Sequence, residues 1–208
     1  MKIIVADDHS IVRRGLQGII ARKPDWIVAA EAETAEELFE ALRRDRYDIL
    51  VLDLMLRNRS GLDLLPELRR EYPSLPVLML SMHSEEQYAI RCLRAGARGY
   101  VQKDSSLEDL LEAIGRVAAG RTWVSSAVAE QLATQLVSPS EKPPHELLSP
   151  REFEVFRMIA TGQSITEIAG QLHVSVKTVS TYRTRILEKT GFHSNADIVA
   201  YAVRNSMV

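Results

Sequence analysis

Four short apolar runs, each closed by a polar residue, punctuate the first 120 residues: KIIVA (2–6), DILVL (48–52), PVLML (76–80) and RGYVQ (98–102). Each is rich in branched side chains and is followed by a stretch with helical periodicity, as in strands buried on both faces of a parallel sheet. WIVAAEA (26–32) adds a fifth strand. Residues 10–22 place Ile11, Val12, Gly15, Leu16, Ile19 and Ile20 on one helical face, and further helices are expected over 34–44, 61–71, 85–95 and 106–119. Thr34 with Glu37, and Ser84 with Gln87, are spaced to cap the helices they precede. Gly96 is placed to end helix 85–95, and Pro66 leaves the start of helix 61–71 open. Five βα units in a row predict an α/β fold, a doubly wound five-stranded parallel sheet with right-handed crossovers.

A helical pattern over 126–136 leads into VSPSEKPPHE (137–146), a Pro-, Ser- and charge-rich stretch without periodicity that reads as a linker. Beyond it the pattern is helical throughout, over 149–161, 164–172, 175–189 and 194–204. The chain therefore divides into a first domain over 1–122, a connecting helix and linker over 123–146, and a smaller all-α domain over 147–208.

Charge changes the picture only when divided along the chain. The net charge is −2 overall, but residues 146–208 carry 7 Lys and Arg against 6 Asp and Glu. Within 175–189, Lys177, Arg183, Arg185 and Lys189 face only Glu188. Such a run is either a solvated helix face or a surface for an anionic partner. Cys92 is the only cysteine, so no intrachain disulfide can form, and its helical setting suits a small buried apolar residue. No apolar run approaches the ~18 residues needed to cross a bilayer. The N-terminus enters a strand directly, so a cytoplasmic protein without a leader is expected.

The chemistry lies at the strand ends. In a parallel sheet all carboxyl ends share one edge, and ligands bind there. That edge would gather Asp7, Asp8, Asp53, Ser81 and Lys103 from distant parts of the sequence. Adjacent carboxylates repel unless a cation sits between them. Mg2+ takes oxygen ligands and keeps several waters, so a few carboxylates and a phosphate oxygen suffice. Lys103 can neutralise a phosphate, the Ser81 hydroxyl can donate to one, and a carboxylate can attack phosphorus to give an acyl phosphate.

Residues 165–184 (ITEIAGQLHVSVKTVSTYRT) fit a helix-turn-helix. Ile168, Ala169, Leu172, Val174, Val179 and Tyr182 fall where two crossing helices pack, and Ser175 is placed to cap the second helix. At 100° per residue, Lys177, Ser180, Thr181, Thr184, Arg185 and Glu188 lie opposite Val179. Small hydroxyl residues with cations suit a groove floor and its phosphates, with Arg183 at the boundary and the helix N-terminus near Lys177 and Thr178 a phosphate site. The last helix carries Ile198, Val199, Ala202 and Val203 as an apolar stripe.

Residues 1–120 resemble the receiver domain of bacterial two-component response regulators, through VADDH, LVLDL, LMLS and AGARGYVQKD. Residues 147–208 resemble the LuxR-type helix-turn-helix domain, through LSPREFEVF, TGQSITEIAGQL, VSVKTVSTYRTRILEKTG and ADIVAYAVRN. Together they match the NarL/FixJ class. The resemblance implies a flavodoxin-like receiver in which Asp53 accepts a phosphoryl group from a sensor histidine kinase. Asp8 would ligate Mg2+ directly, Asp7 through water, and the Met55 carbonyl would complete the protein ligands. Ser81 and Lys103 would hold the phosphoryl group, and Tyr100 would be the aromatic coupled to the Ser81 movement. In the second domain Lys177, Thr178, Ser180, Thr181, Arg183, Thr184, Arg185 and Lys189 would meet double-stranded DNA. The last helix would support a homodimer formed on phosphorylation, with RNA polymerase a further partner and no membrane role. Such a protein is a regulator, not an enzyme.

Two departures stand out. Leu56 and Arg57 occupy the family's Met-Pro positions, which puts the rigidity of the acceptor loop in question and a cation beside the pocket. Ser180 stands where many members have Lys, so base preference does not transfer. Two other readings fit parts of the chain: a regulator that binds DNA without phosphorylation, and a Mg2+-dependent phosphoesterase. The second lacks an acid two residues after Asp53 to shuttle a proton, since Met55 stands there.

Overall fold

The computed structural model describes residues 1–57, 59–137, 143–205 and 207. They form two compact units, Met1–Val137 and Ser138–Val208.

The first unit is the expected doubly wound sheet. Strands β1 (Lys2–Ala6), β2 (Ile27–Ala32), β3 (Ile49–Asp53), β4 (Val77–Ser81) and β5 (Gly99–Gln102) are all parallel, in the order β2-β1-β3-β4-β5. Helices α1 (Ser10–Ile20), α2 (Ala35–Arg44), α3 (Gly61–Glu71), α4 (Glu85–Ala95) and α5 (Leu107–Ala118) connect them. β1, β3 and β4 are apolar on both faces because both are covered. Ile3, Val5, Val51, Leu78 and Leu80 pack with Leu16, Ile20, Ala113, Ile114 and Val117 of α1 and α5. By strand alternation Ile4, Leu50, Leu52 and Met79 face the opposite side. All four are fully buried. The β5 edge does not stay open: Trp123 forms a parallel bridge with Gly99, its N–H donating to the Arg98 carbonyl and its carbonyl accepting from the Tyr100 N–H. A covered edge cannot template further pairing. Helix α6 (Ser126–Val137) follows and packs on α4.

Local signals hold unevenly. Thr34 accepts from the Glu37 N–H, but the Glu37 carboxylate takes the Glu33 N–H, so the reciprocal bond falls one residue short of the cap. Ser84 begins α4 without a side-chain capping bond, contrary to expectation. Helix α3 runs from Gly61 straight through Pro66. The α1 face is also corrected: Ile11 is 84% exposed, whereas Arg13 is buried beside Leu16 and Ile20. Burial of Arg13 is made possible by polar partners at the strand ends, a cause that apolar periodicity cannot register.

The second unit contains α7 (Pro150–Ala160), α8 (Ile165–Gln171), α9 (Val176–Thr190) and α10 (Asn195–Arg204). Phe153, Phe156, Ile159, Ile168, Val179, Ile186, Ile198 and Ala202 form its core. Ser149–Glu152, Ser164–Glu167 and Ser194–Asp197 are reciprocal capping boxes that open α7, α8 and α10. The stretch expected to be linker up to 146 is structured at its end. Pro144–Leu147 form a 3-10 turn, with His145 Nδ1 at 2.7 Å from the Tyr201 hydroxyl and its ring against Phe153. Aromatic neighbours far along the chain stabilise this turn, and local composition does not reveal them. Residues 138–142 of the expected linker lie outside the described residues.

Candidate functional site

At the carboxyl edge of the sheet, β1 delivers Asp7 and Asp8, β3 delivers Asp53, β4 delivers Ser81 and the β5–α5 loop delivers Lys103. Asp7 and Asp53 are buried, with Asp8 partly exposed. Lys103 Nζ lies 2.7 Å from Asp53 Oδ2 and 2.8 Å from Asp7 Oδ2, so one ammonium bridges two carboxylates. Burial, and then the neighbouring Asp7, push the Asp53 pKa up to about 6, against the opposing pull of Lys103 and the Met55 N–H. Burial alone would lower Lys103, but attraction to Asp53 and Asp7 outweighs it and the net direction is upward. The pocket thus holds more negative charge than one lysine balances.

Whether a divalent cation fits can be read from the donors. One ligand atom from each of Asp7, Asp8, His9 and Asp53 lies within 4.8 Å of the others. Asp8 Oδ1 is buried without a hydrogen bond, with His9 Nδ1 2.7 Å away. Asp7 Oδ1 accepts from the His9 N–H at 2.8 Å. A buried carboxylate oxygen without a donor is costly, and an oxygen-seeking dication would relieve it. His9, next to the acidic pair, is a neighbour that sequence reading passed over.

Ser81 is buried, and its Oγ accepts from the His83 N–H at 3.1 Å. Tyr100 is fully buried, its hydroxyl donating to the His83 carbonyl at 2.8 Å. Burial drives the Tyr100 pKa well above the ordinary tyrosine range. Ser81 and Tyr100 therefore meet on one backbone residue, His83.

The loop after Asp53 lacks proline yet is closed by hydrogen bonds. Met55 pairs with Ser60 as an antiparallel bridge, the Leu56 N–H donates to the Arg59 carbonyl at 3.0 Å, and the Gly61 N–H donates to the Leu54 carbonyl at 2.7 Å. Gly61 is needed here, because a Cβ would fall 2.0 Å from the Asp53 carbonyl oxygen. The cation expected beside the pocket, Arg57, is directed to Glu33 at 2.9 Å. Glu33 also binds Arg13, whose guanidinium donates to Glu31 at 2.8 Å and to the Asp7 carbonyl at 2.7 Å. Arg13 thus anchors the backbone of the acidic pair. The only hint in the sequence was that Arg13, unlike its neighbour Arg14, stands three residues before Leu16 on the apolar side of the helix.

In the second unit, α8 and α9 meet across a tight turn. His173 adopts φ 51°, the Val174 N–H donates to the Ala169 carbonyl and the His173 N–H to the Gly170 carbonyl, a left-handed helix stop. Ser175 then caps α9 by accepting from the Thr178 N–H. Ile168, Ala169, Leu172 and Val179 are buried as expected, whereas Val174 and Tyr182 are only half-buried. Lys177, Ser180, Thr181, Thr184 and Arg185 are exposed along one side of α9. Arg183 donates to the Asn195 side chain at 2.6 Å, and Lys189 is held 2.6 Å from the buried Glu152. These two cations therefore have protein partners, and Lys189 ties α9 to α7. On α10, Ile198 and Ala202 are buried while Val203 is 61% exposed.

Comparison with known proteins accounts for both units. The family model for the response regulator receiver domain matches residues 3–115, and that for bacterial regulatory proteins of the luxR family matches residues 146–202. Over 100% of its length the chain is 36% identical to the oxygen regulatory protein NreC of Staphylococcus aureus, covering 99% of that protein. It is 35% identical to a LuxR-family two-component response regulator from Aurantimonas sp. SI85-9A1, with a TM-score of 0.60 over 66% of this chain and 98% of that one. It is 27% identical to RcsB from Salmonella enterica serovar Typhimurium, solved bound to promoter rprA in the presence of the phosphomimetic BeF3−, with a TM-score of 0.64 over 97% of both chains. Strand order, the acidic edge and the capped helix-turn-helix agree with these likenesses, and the chain belongs to the two-component response regulators, as a receiver domain joined to a LuxR-type DNA-binding domain.

Proposed function

We propose that Asp53 is the phosphoryl acceptor and that its phosphorylation by a sensor histidine kinase switches DNA binding by the second domain. The observation that supports this most is the Asp53 carboxylate at the sheet edge, 2.7 Å from Lys103 and grouped with Asp7 and Asp8. An Asp53 oxygen attacks phosphorus, and the bond from phosphorus to the donor breaks. Asp7, Asp8, Asp53 and the Met55 carbonyl would hold Mg2+, which when bound offsets charge on the phosphoryl oxygens. Lys103 moves its ion pair from the bare carboxylate to the new phosphoryl oxygens. The Ser81 hydroxyl donates to one of them, and Tyr100, sharing His83 with Ser81, follows that movement. Such a switch adds charge and acceptor oxygens at one point and biases a two-state surface. The affected elements would be α4 and α5.

On this reading residues 1–122 receive the signal, 123–146 connect, and 147–208 bind DNA. Lys177, Thr178, Ser180, Thr181, Thr184 and Arg185 face the major groove, and Arg183 reaches the backbone on leaving Asn195. Two chains joined through their receivers raise the effective concentration of the second DNA-binding domain. The operator then carries two half-sites. Among the described residues no helix is long and apolar enough to cross a membrane, and the place of action proposed is the cytoplasm. Incubation with acetyl phosphate and Mg2+ tests the acceptor: one phosphorylated species is expected, absent from Asp53→Asn and absent without the divalent ion. A phosphoprotein that persists in Asp53→Asn overturns the assignment.

A further inference from the structure

The exposed side of α9 is built from hydroxyl residues whose protons are already used. Ser180 Oγ donates to the Val176 carbonyl at 3.0 Å, Thr181 Oγ1 to the Lys177 carbonyl at 3.0 Å, and Thr184 Oγ1 to the Ser180 carbonyl at 3.2 Å. Each bond reaches back one turn and holds the oxygen against the helix. A hydroxyl has a single proton. Once given to the backbone it cannot be donated to purine N7, guanine O6 or thymine O4, and the oxygen keeps only the capacity to accept from adenine N6 or cytosine N4. At Thr181 and Thr184 the branched Cβ then leaves a γ-methyl as the group free to touch a partner. Residues three apart on a helix share a face, about 5–6 Å between Cβ atoms, and neighbouring base pairs stand about 3.4 Å apart along the duplex. Two such methyls can therefore meet neighbouring steps, between the cations of Lys177 and Arg185.

We propose that Thr181 and Thr184 read thymine by apolar contact with its 5-methyl group, and that their hydroxyls are not the specificity element. The inference rests on the reading of α9 as the groove-facing helix. It differs from direct hydrogen-bond readout in what it demands of the DNA: a methyl group, whatever the pairing edge of the base. Ser180 has no methyl and allows close approach. The flanking cations supply attraction to phosphate that carries no base information.

The test uses the full-length protein treated with acetyl phosphate and Mg2+. Duplexes retained from a random-sequence pool are sequenced, and the best is resynthesised with deoxyuridine replacing each thymidine in turn, which deletes only the methyl. Loss of about fourfold in affinity per contacted methyl is expected, at one position or more in each half-site. Thr181→Ser and Thr184→Ser should bind the thymidine duplex about fourfold more weakly and stop distinguishing it from its deoxyuridine counterpart. Thr181→Val and Thr184→Val, which keep the methyl and remove the hydroxyl, should bind within about twofold of the parent protein. Half-sites without thymine, equal affinity for every deoxyuridine duplex, or Val variants as weak as the Ser variants would each overturn the proposal while leaving DNA binding intact. Retention of no duplex at all would overturn the reading of α9 itself, and the proposal with it.

Discussion

Replacing Asp53 by Asn should stabilise the first unit in metal-free solution, and the gain should depend on pH in a defined direction. The buried Asp53 carboxyl has its pKa raised from the ordinary 3.8 to about 6. Below about pH 4 the group is protonated in both folded and unfolded chains and has no effect on stability. Between about pH 4 and 6 the unfolded chain has released a proton that the folded chain still holds, so stability falls as pH rises. Above pH 6 the full cost is present. The interval from 3.8 to about 6 corresponds to about 3 kcal/mol, at about 1.4 kcal/mol per pH unit. Asn keeps the shape and cannot ionise. The difference in unfolding free energy between Asp53→Asn and the parent should therefore rise from near zero at pH 4 to about 3 kcal/mol at pH 7.5. Carboxylates outside the pocket cancel in that difference, whereas Asp7, which shares Lys103 with Asp53, belongs to the perturbed group. Urea unfolding in EDTA suits the measurement, because both tryptophans, Trp26 and Trp123, pack on the core of the first unit and report it alone. Added Mg2+ should then reduce the gain, since the cation favours the ionised carboxylate. A difference that stays flat from pH 4 to 7.5 refutes the crowded-carboxylate argument.

Three further outcomes can be checked on the same protein. Gly61→Ala places a Cβ where the Asp53 carbonyl oxygen lies 2.0 Å away, and should cost about 1–3 kcal/mol in urea unfolding and slow phosphorylation; full activity and stability would exclude the close approach. Arg13→Met removes the donor to the Asp7 carbonyl and two half-exposed glutamates, and should cost about 2 kcal/mol in the same assay; a change below about 0.5 kcal/mol would mean the anchor is idle. His173→Gly relaxes the left-handed turn at φ 51° and should stabilise the second unit by about 0.5–1 kcal/mol in thermal unfolding followed by circular dichroism; destabilisation would show that the His173 side chain, not its backbone, holds the turn.

Much of the fold and of the site is legible in the sequence alone, for physical reasons. The strand runs are apolar on both faces, so their length and branching mark them without periodicity, and the parallel arrangement then forces Asp7, Asp53, Ser81 and Lys103 to one edge. Ser175 and the apolar positions of α8 and α9 are local signals, and they place the helix-turn-helix. What escaped was non-local. Arg13 reads as a break in a helical stripe until Glu31, Glu33 and the Asp7 carbonyl surround it. The turn at Pro144–Leu147 looks like linker because its stabilising partners, Phe153 and Tyr201, lie elsewhere in the sequence. Lys189 reads as one more cation for DNA, and its ion pair with the buried Glu152 is invisible in the sequence. Charge alone cannot distinguish a groove contact from an internal ion pair.

The link from phosphoryl acceptance to DNA binding is tested most directly by fluorescence anisotropy with one labelled duplex taken from the selected pool. Titrations would compare the parent protein and Asp53→Asn, each with Mg2+, with and without BeF3−. Tightening of at least about tenfold for the parent protein alone is expected if receivers pair on activation. Equal affinities in all four titrations would contradict the account, because the acidic pocket would then have no hold on the groove-facing helix.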